Sequence, residues 1–259
     1  MNDNLLKINP EQEKQKIIAF LNQTFKNQNI KNAVIGISGG IDSAVSFALL
    51  NKALKPENII VAHLYYFDSK FDAMEKFVRE KGVQTQNIYH ISIKEPVDSM
   101  IKLQNINSNE ISKIRIGNIA ARMRMIILYD LAKKYNALVC GTENKSENLL
   151  GYFTRFGDQA SDIEPIEHLY KTQVYQLAKH LSLPDEIINQ QPSAGLWQGQ
   201  TDEGQFGFSY KEADQVLFLH LEKQLSIETI EKQGFSNASK IISWHKQNLF
   251  KHQVPYTLH

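Results

Sequence analysis

Ala33-Val34-Ile35-Gly36-Ile37-Ser38-Gly39-Gly40-Ile41-Asp42-Ser43 is the stretch that decides the fold. Ala33 to Ile37 is a short apolar run and reads as a buried strand. It stops at Ser38-Gly39-Gly40, a tight loop, and from Asp42 to Leu54 the chain reads as a helix. Two adjacent glycines let the backbone take conformations closed to other residues and leave their N–H groups bare to converge on an anion. The helix that follows adds unpaired N–H groups and a positive dipole end. Ser38 and Ser43 offer hydroxyl donors. Asp42 sets a carboxylate beside the expected phosphate, which suits a metal ion lying between them. Gly36, Ile37, Ser38, Gly39, Gly40, Ile41, Asp42 and Ser43 thus form a candidate phosphate cradle. The lysine of the Gly-x-x-x-x-Gly-Lys-Ser/Thr loop is missing, and the pattern is not Gly-x-Gly-x-x-Gly. The plainer alternative is an ordinary strand–helix turn.

Outward from this loop the chain alternates. Residues 11–27 carry Ile17, Ile18, Leu21 and Phe25 at helical spacing. Asn58–Leu64, Asn87–Ile93 and Ala137–Cys140 read as further strands. Phe71–Gly82, closed by its glycine, and Ile111–Tyr135 read as helices. Strands alternating with helices predict an α/β fold with a doubly wound, mostly parallel sheet flanked by helices. Ligands of such sheets sit beyond the carboxyl ends of the strands. Two strand ends carry unusual chemistry, Ser38–Ser43 and Gly141–Glu147. After about residue 165 the chain reads mostly helical, with 191–209 as a long functional loop between helices. No repeat or low-complexity segment interrupts it, and 1–259 is expected to be one domain.

Composition bounds the function. Of 259 residues, 42% are hydrophobic and 22% charged, the balance of an ordinary globular protein. A net charge of +1 gives no basic excess for nucleic acid or an anionic membrane surface. The one cysteine, Cys140, ends a core strand and reads as a packing residue, with no Cys-x-x-Cys pair for zinc or iron–sulfur. Met1–Pro10 lacks the apolar core of a signal peptide, and no apolar run approaches the ~20 residues of a membrane span. A cytoplasmic protein is expected. The histidines show no metal-ligand spacing.

Ser-Gly-Gly-x-Asp-Ser after a buried strand resembles the pyrophosphate loop of the ATP pyrophosphatase superfamily. Gly141–Asp158, Ser161–Ile166, Leu169–Val174 and Pro192–Glu203 look very like the NAD synthetase family within it, and the matching stretches span most of residues 33–210. The resemblance implies ATP cleavage between the α and β phosphates, adenylation of the nicotinate carboxylate of deamido-NAD, and displacement of AMP by ammonia. It implies Mg²⁺ on Asp42 and Glu147, and ATP contacts from Thr142, Lys171 and Ser193. It implies deamido-NAD contacts from Arg122, Arg155, Asp162 and Lys251, and a homodimer with the dinucleotide site near the interface. Tyr152–Ile163 is the expected closing loop, with Asp158 a further acid that could hold a second metal or, like Asp162, take a proton from ammonium.

The sequence departs from the family in places: Arg155 stands where many members have lysine, Gln159 replaces a common glycine, and Phe250 and His252 replace a histidine and an arginine beside Lys251. Each residue also has a plainer reading. Glu147 could match a helix dipole, Thr142 and Ser193 could cap helices, Lys171 could be a solvated helix residue, and Arg115, Arg122 and Arg124 could line a solvated helix face. A glutaminase domain is not expected, so free ammonia, supplied by a separate protein, is the expected nitrogen source. The competing functions are another ligase of the superfamily, such as a GMP synthetase subunit or a tRNA-modifying enzyme, and a nucleotide sensor without chemistry. Net charge and the single cysteine disfavour the tRNA enzyme, and the presence of both Asp42 and Glu147 disfavours the sensor.

Overall fold

The computed structural model describes residues 4–67, 71–107, 109–191, 201–253 and 255–258. Strands β1 (Asn32–Gly36), β2 (Ile59–Tyr65), β3 (Ile88–Ser92) and β4 (Ala137–Cys140) form a parallel sheet in the order β3-β2-β1-β4. Val34 stands opposite Ile60 on one side and Val139 on the other. Side chains alternate between the faces with the period of a pleated strand. Ala33, Ile35, Ile59 and Val61 enter one core, and Val34, Ile60, Ala62 and Val139 enter the other. Both faces are covered, which is why these strands read as unbroken apolar runs. Each fully buried Val or Ile side chain contributes ~1.5–3 kcal/mol.

Helices α1 (Pro10–Gln28), α2 (Ile41–Ala53) and α3 (Asp72–Glu80) pack on the first face, and α4 (Lys94–Leu103) and α5 (Glu110–Tyr135) on the second. After α6 (Lys145–Leu150), helices α7 (Lys171–His180) and α8 (Asp185–Ile188) return to the first face. The rest of the chain builds a helical unit from α9 (Asp202–Phe206), α10 (Tyr210–Leu217), α11 (Ile227–Lys232) and α12 (Ala238–Asn248). Its own core holds Phe206, Val216, Ile230 and Ile241, with Leu150 of α6 joining them. Among the described residues no helix is long and apolar enough to cross a membrane.

The sheet order creates the site. From β1 the chain moves through β2 to β3 on one side, and β4 then lies on the other side of β1. The loops leaving β1 and β4 therefore diverge and open a crevice at the switch point. These are the two loops that the sequence marks as chemically unusual.

Two elements depart from the expected pattern. Helix α4 is additional; its Pro96 sits in the first turn, where a missing N–H leaves no bond unmade. The stretch expected to be loop at 191–209 contains α9, capped by Thr201 and closed by Gly207 at φ 71°. Ser193 and the surrounding 192–200 lie outside the described residues.

The end of β4 is held by residues 161–164. Gly141 N–H donates to the Ile163 carbonyl (2.9 Å), and the Glu143 N–H donates to Glu164 Oε2 (3.1 Å). Ser161 Oγ donates to Glu164 Oε1 (2.7 Å). The Glu164 carboxylate occupies the space that a side chain on Gly141 would fill, since a Cβ there would lie 1.7 Å from Glu164 Oε1. Gly141→Ala is therefore expected to evict this carboxylate and lower the unfolding free energy by about 1–3 kcal/mol. Glu164→Ala in the same chain should recover part of the loss. An unchanged urea midpoint in Gly141→Ala would contradict the arrangement.

Candidate active site

Three segments place three charges at the switch point. Asp42 is the second residue of α2, Glu147 the third of α6 and Lys171 the first of α7. The Lys171 ammonium donates to Asp42 Oδ2 (2.5 Å) and to Glu147 Oε1 (3.0 Å). The lysine side chain is only 2% exposed, against 16% for Asp42 and 18% for Glu147. It is not the solvated helix residue of the plainer reading. Burial opposes its charge, but the Asp42 and Glu147 carboxylates outweigh that and hold its pKa above the ordinary lysine value. Burial, reinforced by the neighbouring Asp42 and Asp202 charges, pushes Glu147 upward against the pull of Lys171.

Asn144 locks the two strand-end loops together. Its side-chain oxygen accepts the Glu147 N–H (3.0 Å) as the cap of α6, and its Nδ2 donates to Asp42 Oδ1 (2.9 Å). Asn144, not Thr142, is the capping residue, so that alternative role for Thr142 falls away. Thr142 sits half-buried between β4 and α6. In the phosphate loop Gly39 alone takes a positive φ, 95°, which glycine adopts without strain. Gly40 has an ordinary φ of −75° and caps α2 with no side chain to bond its first N–H groups. Ser38 Oγ accepts the Gly40 N–H (3.2 Å), and Ser43 Oγ donates to the Gly40 carbonyl (2.9 Å). Both hydroxyls thus shape the loop from within.

The residues expected to meet the second substrate gather at the other end of α6, a helix about 9 Å long. Lys251 Nζ donates to the carbonyls of Gly151 (2.5 Å) and Phe153 (3.0 Å). Arg122 donates from Nε and Nη2 to the Arg155 carbonyl (3.3 and 3.2 Å). The Arg155 guanidinium lies 5.4 Å from the Phe250 ring centre, so two of the four residues that depart from the family pattern meet each other. Asp158 Oδ1 accepts the Thr154 N–H (2.9 Å) and shapes the loop. Phe156 projects an exposed ring there from a left-handed backbone at φ 57°. Asp162 stands apart from the cations, its Oδ2 accepting the Val139 N–H (2.7 Å) at the edge of β4. The solvated-face reading fails for Arg124, which is half-buried and donates to the Leu64 carbonyl (2.9 Å) at the end of β2.

Several residues that shape the site are given no role by the reading of the sequence. Glu143 is buried, and its Oε1 has no hydrogen-bond partner. Burial, with the charges of Asp158, Glu164 and Glu147 nearby, pushes this carboxyl up to about 10. Asp202, Tyr210 and Asp214 enter from the helical unit. Tyr210 presents its ring to Lys171 Nζ at 5.2 Å and donates its hydroxyl to Asp202 Oδ2 (3.0 Å). Cys140 is buried at the end of β4, where burial pushes its thiol pKa up, so it is a packing residue.

The arrangement offers a glycine loop at a helix start, one buried cation and two carboxylates whose hard oxygens suit a metal. Such a constellation suits the chemistry of a polyphosphate. The NAD synthase family model matches residues 13–255. The chain belongs to the NAD synthase family. NH(3)-dependent NAD(+) synthetase of Fusobacterium nucleatum is 40% identical over 254 residues, spanning 97% of this chain and 97% of its own. The structure of NMN synthetase from Francisella tularensis superposes with a TM-score of 0.83 at 34% identity, covering 98% of this chain and 100% of that one. NH3-dependent NAD synthetase from Campylobacter jejuni gives 0.75 at 31% identity, covering 97% and 100%. The NAD synthases are ATP-using ligases that form a C–N bond, in keeping with a polyphosphate site at the sheet's switch point.

The carboxyls beside this family site set a pH dependence. Burial pushes Glu164 from the ordinary 4.5 up to about 8, although Ser161 and the Glu143 N–H oppose the shift. An acid whose pKa is raised in the fold holds its proton more tightly when folded. Its contribution is therefore greatest below its unfolded pKa, declines between about 4.5 and about 8, and is flat above. Glu164→Gln removes this titration. Its stability relative to the wild type should rise across that window and then level off in urea titrations. A difference independent of pH would contradict the assignment.

Proposed function

We propose that this chain catalyses the ATP- and Mg²⁺-dependent amidation of deamido-NAD with ammonia, giving NAD⁺, AMP and pyrophosphate through an acyl adenylate. The observation that carries the reading is the convergence of Asp42, Glu147 and Lys171 beside the Ser38–Ser43 loop, within a member of the NAD synthase family. The nicotinate carboxylate attacks the α-phosphorus. The backbone of the loop, the start of α2 and Lys171 stabilise charge that gathers on the departing pyrophosphate. Ammonia then attacks the activated carbonyl, and AMP leaves.

Among the described residues no group of three or more His, Cys, Asp or Glu side chains is arranged to hold a metal. Mg²⁺ shared with phosphates takes only one or two carboxylates and completes its shell with phosphate oxygens and water. Asp42 and Glu147 already face one cation, the Lys171 ammonium, so their chemistry fits that role. When bound, the ion supplies positive charge to the phosphate oxygens.

Arg122 and Lys251 flank the Gly151–Phe156 loop and, with Arg155 of that loop, supply the cationic surface that a dinucleotide phosphate requires. Thr142 and Ser193 are assigned to ATP, and Asp158 and Asp162 to the nitrogen-transfer end, with Asp162 also toward deamido-NAD. Closure of residues 152–163 keeps water from the adenylate. Residues 1–259 are taken as one working unit, acting in the cytoplasm, with ammonia delivered by a separate protein. Exposed Ile111, Ile114 and Ile126 along α5, the helix of Arg122, support a homodimer with the dinucleotide site near its interface. Sedimentation should give twice the chain mass, and a monomer at micromolar concentration would remove the dimer from the account.

A second reading shares every step but takes the mononucleotide as carboxylate substrate. It is favoured by the likeness to the Francisella NMN synthetase. One assay tests both: protein, ATP, Mg²⁺ and ammonium, with deamido-NAD in one vessel and nicotinate mononucleotide in another, and glutamine replacing ammonium in parallel. NAD⁺ and AMP should form together with ammonium and not with glutamine. Faster turnover of the mononucleotide would select the second reading, and no amide from either substrate would refute both. Asp42→Ala and Glu147→Ala should each abolish turnover while the fold survives. Near-normal activity in either would remove its metal role.

A further inference from the structure

The helical unit reaches the site through one face of α10. Tyr210 and Asp214 are four residues apart and so lie on the same side of that helix. The Tyr210 ring packs toward the Lys171 ammonium. Asp214 is 0% exposed and bonds to both α7 and α6. Its Oδ2 accepts the Thr172 N–H (2.9 Å), and its Oδ1 accepts the Ser146 hydroxyl (2.5 Å). Ser146 Oγ in turn accepts the Lys171 N–H (2.8 Å).

These are the first two N–H groups of α7, which no helical turn can satisfy. Both end on one carboxylate, directly or through a single hydroxyl. Ser146 also precedes Glu147. One buried group therefore ties the start of α7 to Ser146, the residue before Glu147, while the Lys171 ammonium meets Asp42 and Glu147 at its tip. Burial pushes the Asp214 carboxyl up to about 6, so the residue is expensive to keep ionised. An apolar side chain would pack α10 against α7 without that penalty.

We propose that Asp214 is a positioning residue for the reaction, holding Lys171 and Glu147 in register through Thr172 and the Ser146 hydroxyl. It rests on the proposed function for the meaning of the site. Asp214 is fully buried, so it acts through the Thr172 N–H of α7 and the Ser146 hydroxyl of α6. A shift of about 1 Å in a group that stabilises developing charge lowers a rate by up to roughly 100-fold.

The test compares Asp214→Ala, Asp214→Asn and Ser146→Ala by kcat, by KM for deamido-NAD, by MgATP affinity from calorimetry and by urea midpoint. Asp214→Ala should lower kcat by roughly 10- to 100-fold. Its KM for deamido-NAD should stay within about twofold, because the Arg122, Arg155 and Lys251 cluster stands at the far end of α6. Asp214→Asn should recover most of the rate, since an amide oxygen still accepts from Thr172 and its NH₂ reaches Ser146. A merely structural role would lower the active fraction and leave kcat per active site unchanged. Asp214→Ala with kcat within twofold of the wild type, or no recovery in Asp214→Asn, would overturn the proposal. If Asp214→Ala does not fold, Ser146→Ala decides: it should fold with a lowered urea midpoint, because the Lys171 N–H loses its partner; its kcat per active site must fall, and an unaltered kcat overturns the proposal. Should the wild type form no amide, the functional reading fails, and MgATP affinity then decides this one. It must weaken in both Asp214→Ala and Ser146→Ala at unchanged stoichiometry, and equal affinity overturns it.

Discussion

The Lys171 ammonium between the Asp42 and Glu147 carboxylates is the interaction on which the rest of the structure depends. A lysine buried to 2% exposure is tolerable only with its charge compensated. Either carboxylate alone still leaves the ammonium one partner, whereas loss of Lys171 would leave two carboxylates facing each other. The three groups come from positions 42, 147 and 171, so the constraint acts on the whole α/β layer. It requires β1 and β4 to be neighbours, α6 to begin within reach of α2, and the chain to return through α7. The parallel sheet delivers this because its switch point falls between β1 and β4.

Around the triad the fold supplies fixed backbone, and the Gly151–Phe156 loop is held differently. Asn144 joins the two strand-end loops, Glu164 seats the end of β4 against residues 161–164, and Asp214 anchors the starts of α6 and α7. All three bond to backbone N–H groups, which fixes positions more firmly than contacts between side-chain tips. The Gly151–Phe156 loop is tied instead by cations on its carbonyls, from Lys251 on one side and Arg122 on the other. An incoming anion competes for those same cations.

The sheet and the phosphate loop were legible in the sequence because each rests on local pattern. Buried parallel strands are short apolar runs, and β4 matches its expected limits, Ala137–Cys140. The loop at Ser38–Ser43 announces itself by glycine and hydroxyl density, though only Gly39 uses its conformational freedom. Lys171 and Glu147 were reachable through the family resemblance, while their contact with each other is purely tertiary. Helix α4 escaped because Pro96 sits in its first turn, and α9 because five residues rich in Asp, Glu and Gly carry no helical period. Asn144 had a local signal, an asparagine three residues ahead of a glutamate at a helix start. Asp214 and Glu164 had none. A buried carboxylate whose partners are backbone N–H groups from 21 or 42 residues away leaves no trace in spacing.

The central claim is that this site directs the nicotinate carboxylate onto the α-phosphorus of ATP. The most direct measurement follows oxygen. Deamido-NAD labelled with ¹⁸O in its carboxylate is turned over with ATP and ammonium, and the products are weighed by mass spectrometry. Attack at the α-phosphorus moves one labelled oxygen into AMP and none into pyrophosphate. Unlabelled AMP, or label in pyrophosphate or inorganic phosphate, would contradict the account.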